Sequence, residues 1–291
     1  CPLDSLKGGC AKYETLNIRY SNMVSTDTQD VTKAIEKEKL SNRPPIVVVL
    51  GHVDHGKSTT VDMTTSIFKE ADINVASASS IRFQVKDKEW RNKMKMTMPG
   101  RFVLQKFLRQ AVKAGCTHVI LEVTSEGILQ NRHRFIPFQA AVFTNLSPEH
   151  IERHGSFENY KQTKGKLFAL AKNVHVINAD DEHAEYFLSF PAKQMYTYGT
   201  SPKSRLGTTY IQGEGVKENK GLEFETGGTK FHLGLLGSFN TYNALAAIAT
   251  AQSQGISLDA CKKALEKMRG VPGRMEEVIS SPMRVVVDYA F

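Results

Sequence analysis

The chain has 291 residues, 41% of them apolar, and a formal net charge of +8 at neutral pH. That length suits one large α/β domain or two smaller ones, and no apolar run approaches the roughly 18 residues of a membrane span. Cys1, Cys10, Cys116 and Cys261 are scattered without a C-x-x-C pair, which argues against zinc and a disulfide framework and for a reducing, cytoplasmic setting. No charged-then-apolar leader resembles a secretion signal. The positive charge is spread thinly, with no basic run interleaved with aromatics, so phosphorylated small molecules are the expected anionic partners and nucleic acid and membrane are not. The chain opens on Cys1 and stops at Phe291 directly after a strand-like run, and it reads as a piece of something longer.

Residues 1–44 show weak periodicity, with a short charged helix candidate at 31–40, and read as a poorly packed lead-in. An apolar run, Ile46-Val47-Val48-Val49-Leu50, then breaks into Gly51-His52-Val53-Asp54-His55-Gly56-Lys57-Ser58-Thr59-Thr60. A helix is expected over 59–71. Strand, glycine-bearing loop and helix start, in that order, make a phosphate loop. Backbone N–H groups of Gly51, Asp54, His55, Gly56 and Thr59 can close on phosphate oxygens, Lys57 reaches the β- and γ-phosphates, and the Ser58 hydroxyl can coordinate Mg²⁺. A bland glycine-rich turn is the alternative, and the setting between buried strand and helix weighs against it.

Beyond the loop, strands and helices alternate. A helix is expected over 101–114, with Phe102, Leu104, Phe107, Leu108, Ala111 and Val112 at helical spacing. Strands follow at 117–123 and 140–146, a helix at 160–171, a strand at 174–178 and a helix at 181–190. That order predicts an α/β fold, a doubly wound and mostly parallel sheet with ligand at its carboxyl edge. Residues 208–235 are β-branched, glycine-rich and short in period, and predict a small antiparallel β region or edge. Helices at 240–254 and 257–268 and a strand at 284–288 complete the chain. The domain expected from this pattern spans 45–291.

The loop from Gly51 to Thr59, with Arg43-Pro44-Pro45 before it, resembles the start of the G domain of a bacterial translation initiation factor. A guanine-specific GTPase also needs an Asn-Lys-x-Asp loop and an Asp-x-x-Gly turn. Asn92-Lys93 and Asn219-Lys220 lack the required Asp, and no Asp has Gly three residues later. The GTPase reading fails on both counts.

From Ser58 onward the chain resembles the central ATPase domain of the ATP-dependent Mur ligases, closest to the UDP-N-acetylmuramoyl-tripeptide synthetase branch. Several motifs carry this in order: Thr97-Met98-Pro99-Gly100, Glu122-Val123-Thr124-Ser125, Thr144-Asn145-Leu146-Ser147-Pro148-Glu149-His150, then His154-Gly155, Lys164-Gly165-Lys166, Asn178-Ala179-Asp180-Asp181, Gly237-Ser238-Phe239-Asn240-Thr241-Tyr242-Asn243, Gly273-Arg274-Met275-Glu276 and Asp288-Tyr289-Ala290. The resemblance implies ATP and Mg²⁺ as cofactors, a UDP-sugar peptide and an amino acid as substrates, and a monomer. It implies an amide ligase of peptidoglycan precursor synthesis that works through an acyl phosphate. A folylpolyglutamate-type ligase and a catalytically inactive nucleotide-binding fragment are the alternatives.

By that resemblance Lys57 and Lys164 are catalytic, and Lys164 is carbamylated. Ser58, Glu122, His150 and Lys164 surround metal. Thr97, Thr124, Gln130 and Arg132 grip the UDP-sugar peptide, and Asn178, Asn240, Asn243, Arg274 and Asp288 face the nucleotide. Each has a plainer alternative. Glu122 could be a solvent-facing acid at a strand end, His150 a loop histidine and Lys164 part of a solvated helix face. Thr97, Thr124, Gln130 and Arg132 could be turn, strand-end and surface-loop residues, while Asn240 and Asp181 could be helix caps. The sequence departs from the family in four places. Its phosphate loop is longer, Met98 replaces a threonine, Phe291 replaces a histidine, and the amino-acid-binding domain is expected to be missing, so the isolated chain is expected to make little amide product.

Overall fold

The computed structural model describes residues 45–50, 56–94, 96–148, 151–202, 207–219, 221–274, 276–279 and 285–288. The lead-in and its helix candidate at 31–40 lie outside them, as do Gly51, Asp54, His55 and His150.

Strand β1 (Ile46–Leu50) is buried along its whole length, as a continuous apolar run demands of a strand covered on both faces. Helix α1 (Lys57–Glu70) follows the phosphate loop and leads to β2 (Val75–Ala78). A hairpin, β3 (Arg82–Val85) and β4 (Lys88–Arg91), then turns back antiparallel at the sheet edge. Helix α2 (Arg101–Lys113) returns the chain to β5 (His118–Glu122), which inserts parallel between β2 and β1. A short helix, α3 (Ser125–Leu129), leads to β6 (Phe138–Phe143) on the other side of β1. Helices α4 (Ile151–His154) and α5 (Phe157–Leu170) precede β7 (Val174–Asn178), and α6 (Ala184–Leu188) precedes β8 (Gln194–Gly199). The nine-stranded sheet, in the order β4-β3-β2-β5-β1-β6-β7-β8-β9, ends at β9 (Thr209–Gln212). β1 therefore sits where successive connections diverge to either side, the position at which doubly wound sheets bind ligands.

Alternation along the central strands sorts the core into two layers. Val47, Val49, Ile120 and Val142 face a layer containing α1 together with α7 (Asn240–Ser253) and α8 (Leu258–Lys267). Ile46, Val48, Leu50, Leu121 and Phe143 face the opposite layer, which holds α2, α5 and α6. Helix α7 is buried on nearly every side, and its alanines leave room for close approach to α1. A separate antiparallel sheet, β10 (Glu214–Glu218), β11 (Leu222–Thr226) and β12 (Thr229–Leu233), packs Phe224 on Phe231 and adds them to the first layer. A final ribbon pairs β13 (Glu276–Ile279) with β14 (Val285–Val287).

The doubly wound expectation holds, with differences. The stretch 208–235 is not wholly antiparallel, because β9 pairs parallel with β8 and extends the main sheet. The hairpin β3–β4 and strand β8 were not legible: residues 72–96 and 194–199 mix polar and apolar side chains without a clear period. Phe102 is 91% exposed, whereas Leu104, Phe107 and Ala111 are buried. At about 100° per residue Phe102 lies on the side of α2 opposite that stripe, so helical spacing alone grouped it wrongly.

His175, on β7, is fully buried, and its Nε2–H donates to the carbonyls of Phe168 and Ala171 at 3.1 and 2.7 Å. Burial pushes its pKa below 6.5, with the carbonyl acceptors opposing, and burial also lowers those of His118 and His133. The folded chain keeps these rings neutral while the unfolded chain protonates them, so stability is complete above about pH 6.5 and is lost as pH falls towards the lowered folded values. Urea melts should show this slope between about pH 7 and pH 5, and His175→Gln, which keeps a donor to the carbonyls, should flatten it. An unchanged slope in the variant would remove His175 from the account.

Candidate active site

The carboxyl ends of β1, β5, β6 and β7 deliver the site. Gly56 takes φ +96°, which an L side chain rarely adopts, and turns the chain into α1. The first turn of α1 carries no acidic residue, so its backbone N–H groups and helix dipole favour an anion. Lys57 is 1% exposed, Glu122 4% and Lys164 1%. Glu122 Oε2 accepts from the Ser58 hydroxyl at 2.8 Å and from the Ser80 backbone N–H at 2.8 Å. Its Oε1 lies 3.8 Å from Lys57 Nζ, and the Ser58 and Ser80 hydroxyls are 2.7 Å apart.

Lys164 projects from α5, with Nζ 4.8 Å from the centre of the Tyr160 ring. Burial, and then the charge of Lys57, push its pKa well below 10.5, with Asp181 opposing. The arrangement favours a neutral amine there, the form that can act as a nucleophile. The readings of Glu122 as a solvent-facing acid and Lys164 as a solvated helix face are both overturned by their burial.

A cavity of about 230 Å³ lies beside this edge, lined by Thr144, Asn145, Asn178, Asp180, Asp181, Phe239, Tyr242 and Asn243. Its amides and acids are interlocked. Asn178 Nδ2 donates to the Thr144 carbonyl at 2.8 Å and its Oδ1 accepts from Asp180 N at 3.1 Å. Asp181 accepts from Leu146 N at 3.0 Å and His183 N at 2.8 Å. Asp180 Oδ2 accepts from Thr200 N at 2.7 Å and the Tyr242 hydroxyl at 3.0 Å. Burial raises the Asp180 pKa, but hydrogen bonds from Thr200, Ser201 and Tyr242 outweigh it and hold the carboxyl below its ordinary value.

The turn at Thr97 and the start of α3 form a third patch. Thr124 caps α3, its hydroxyl accepting from Gly127 N at 3.1 Å. Arg132 donates to the Met98 carbonyl and to Gln130, and Gln130 donates to Glu126 at 3.1 Å. A Cβ on Gly127 would come within 2.6 Å of Met98 Sδ, so the turn and the helix start fit only with glycine between them.

The profile of the Mur ligase middle domain matches residues 55–251. The chain belongs to the Mur ligase family. It is 31% identical over 257 residues to a UDP-N-acetylmuramyl-tripeptide synthetase of Roseiflexus sp., covering 81% of this chain and 50% of that protein. It is 37% identical over 207 residues to a UDP-N-acetylmuramoyl-L-alanyl-D-glutamate–2,6-diaminopimelate ligase of Halalkalibacterium halodurans, covering 67% and 42%. A solved structure of a ligase with that same name superposes with a TM-score of 0.73 at 27% identity, covering 89% of this chain and 53% of the other. The chain thus spans about half the length of the relatives it matches.

Within this Mur ligase fold, Lys57, Ser58, Glu122 and Lys164 converge at one edge, and Asn178 and Asn243 line the cavity. Asn240 is not an N-cap. It is the first residue of α7, donating to the Leu236 carbonyl at 2.7 Å and accepting from Asn243 at 2.8 Å. Asp181 does organise the turn before α6, as expected of a cap, and also ties down Leu146. Arg274 precedes β13 and Asp288 follows β14, and neither is among the residues lining the cavity. Ser80 is the site residue that sequence reasoning missed. It sits between two unrecognised strands, and only their prediction would have aimed it at Glu122.

The donor set fits Mg²⁺. Two serine hydroxyls and a carboxylate are hard oxygen ligands, and Mg²⁺ keeps waters and phosphate oxygens rather than demanding an all-protein cage. Among the described residues, no group of three or more His, Cys, Asp and Glu side chains that could hold a metal ion occurs.

Asn243 also presses on the phosphate loop: a Cβ on Gly56 would lie 2.1 Å from Asn243 Oδ1. Gly56→Ala should therefore cost about 1–3 kcal/mol of stability in urea melts. In an Asn243→Ala background, which removes the collision, the same Gly56→Ala step should cost only the backbone strain, about 1 kcal/mol. An equal cost of that step in the two backgrounds would show that the contact is slack.

Proposed function

We propose that the chain is the ATP-using core of an amide ligase that extends a UDP-N-acetylmuramoyl-peptide by an amino acid in peptidoglycan precursor synthesis. The observation that carries this is the buried edge where Lys57, Ser58, Ser80 and Glu122 meet at the start of α1, with the Lys164 amine beside it. We take residues 45–291 as the central ATPase domain, acting in the cytoplasm as a monomer, with the initiation-factor-like loop of residues 51–59 as its phosphate grip.

A carboxylate is a poor acyl donor, so the substrate carboxylate is first phosphorylated by ATP and the amino-acid amine then displaces phosphate. Backbone N–H groups at the start of α1 cradle the phosphates. Lys57, paired with Glu122 in this structure, turns to the γ-phosphate and stabilises charge that builds in the transition state. Ser58, Ser80 and Glu122 would hold Mg²⁺, which would neutralise charge at the phosphates. Lys164, its pKa pushed well below 10.5 by burial, takes up CO₂ through the unprotonated amine, releases a proton and becomes an anionic carbamate whose oxygens would face the metal. Thr97, Thr124, Gln130 and Arg132 orient the UDP-sugar peptide, the Arg132–Met98 link fixing the turn that carries Thr97. The base enters the cavity beside Asn178 and Asn243.

No Asn-Lys-x-Asp loop is present to read a guanine edge. Competition against a fluorescent nucleotide should show ATP binding at least about tenfold tighter than GTP. Tighter GTP binding would return the chain to the translation-factor class. UDP-muramoyl dipeptide should bind and folate should not, whereas the reverse would favour the folylpolyglutamate-type ligase. Lys164→Ala should lose phosphoryl transfer and recover part of it with added short carboxylates. Full activity without additive would reject the carbamate.

A further inference from the structure

The turn that carries Ser80 joins β2 to β3 and places both a hydroxyl and an N–H on the phosphate-loop edge, the N–H on Glu122 and the hydroxyl beside Ser58. Its own geometry is tight. Ser79 N donates to the Arg82 carbonyl at 2.9 Å, and Ser79 Oγ accepts from Ile81 N at 3.2 Å and Arg82 N at 3.3 Å. Such a turn fixes its shape but not its distance from α1.

Beyond the contact between the Ser58 and Ser80 hydroxyls, a charged link to α1 runs through Arg82. Its Nη2 donates to Asp62 Oδ2 at 2.8 Å and its Nε to Oδ1 at 3.4 Å, a two-pronged grip, while Nη1 reaches Glu89 Oε2 at 3.2 Å. Asp62 stands four residues after Ser58 on α1, one turn along the helix, and its side chain is 3% exposed. One end of the connection therefore lies a turn below the phosphate-loop serine, and the other lies two residues after Ser80.

We propose that Asp62 and Arg82 are positioning residues, a clamp that holds the Ser80 turn against α1 so that Ser58, Ser80 and Glu122 present their oxygens to one Mg²⁺. This rests on the magnesium-site reading above. The fork geometry matters because a guanidinium holding a carboxylate at two points fixes angle as well as distance. Charge balance matters as well. Burial raises the Asp62 pKa against the opposing pull of Arg82, and Glu122 and Glu89 raise it further. The guanidinium is the cation that faces Asp62, and it is shared with Glu89. Trp90 stacks on Phe83 and Phe107 meets that ring edge-on, which braces the hairpin behind Arg82.

Calorimetric titration of ATP into the 291-residue chain, once in EDTA and once in saturating MgCl₂, tests the clamp. Arg82→Met should leave the affinity in EDTA unchanged and shrink the Mg²⁺-dependent gain about tenfold, the size of effect seen when partners behind metal ligands are lost. Arg82→Lys, which keeps the charge but not the fork, should fall between. Should Arg82→Met fail to fold, the apolar pair Asp62→Leu/Arg82→Met removes the clamp without leaving a buried acid unpaired, and it should show the same reduced gain. An undiminished gain in either folded variant overturns the clamp and leaves the site reading intact. A wild-type chain whose ATP affinity ignores Mg²⁺ overturns the site reading and the clamp together.

Discussion

Two lysines and one glutamate, all nearly stripped of water, share the carboxyl edge of one sheet. Burying an isolated charge is costly enough that a group shifts its pKa or finds a partner, and each of these has done so. Lys57 pairs with Glu122, Glu122 gathers two further hydrogen bonds, and Lys164 is pushed towards its neutral form. On the proposed function, triphosphate would supply the negative charge that Lys57 and the start of α1 call for, and a divalent ion would supply positive charge beside Glu122.

Much of the surrounding fold holds that edge in place. β1 is buried along its whole length, and β5, inserted beside it, sets Glu122 level with Val49, one residue before the end of the strand. Helix α5 carries Lys164 in from the face opposite α1, so the two lysines approach from different layers and cannot relax apart along one helix. Helix α7, packed on α1, sets Asn243 against Gly56 and joins the cavity to the phosphate loop. The fit of Gly127 against Met98 keeps the proposed substrate patch in register with Glu122, three residues after which α3 begins.

What the sequence made legible follows from how local each signal is. β1, α1 and β7 were readable because an unbroken apolar run or a glycine-lysine-serine step declares itself within a few residues. Glu122 was readable because it ends such a run. The β3–β4 hairpin was not, because Trp90 and Phe83 pack on Phe107 from α2, a pairing no local period announces. Ser80 was lost with it. Lys164 could be singled out only by resemblance: its surroundings, Gln162-Thr163-Lys164-Gly165-Lys166, look solvated, and the burial comes from Tyr160 and the sheet. The cap alternative for Asn240 stayed open in the sequence because capping residues and interlocking amides share one composition, and only the contacts with Leu236 and Asn243 separate them.

The central claim is that this edge moves the γ-phosphoryl group of ATP onto a substrate carboxylate. Incubating the chain with γ-labelled ATP, Mg²⁺ and UDP-muramoyl dipeptide, without amino acid, and trapping with hydroxylamine measures that step alone. The account predicts a hydroxamate of the UDP-muramoyl dipeptide, formed with matching phosphate release and abolished in folded Lys57→Ala and Glu122→Gln variants. ATP binding without any hydroxamate, or equal hydroxamate in the folded Lys57→Ala chain, would contradict it.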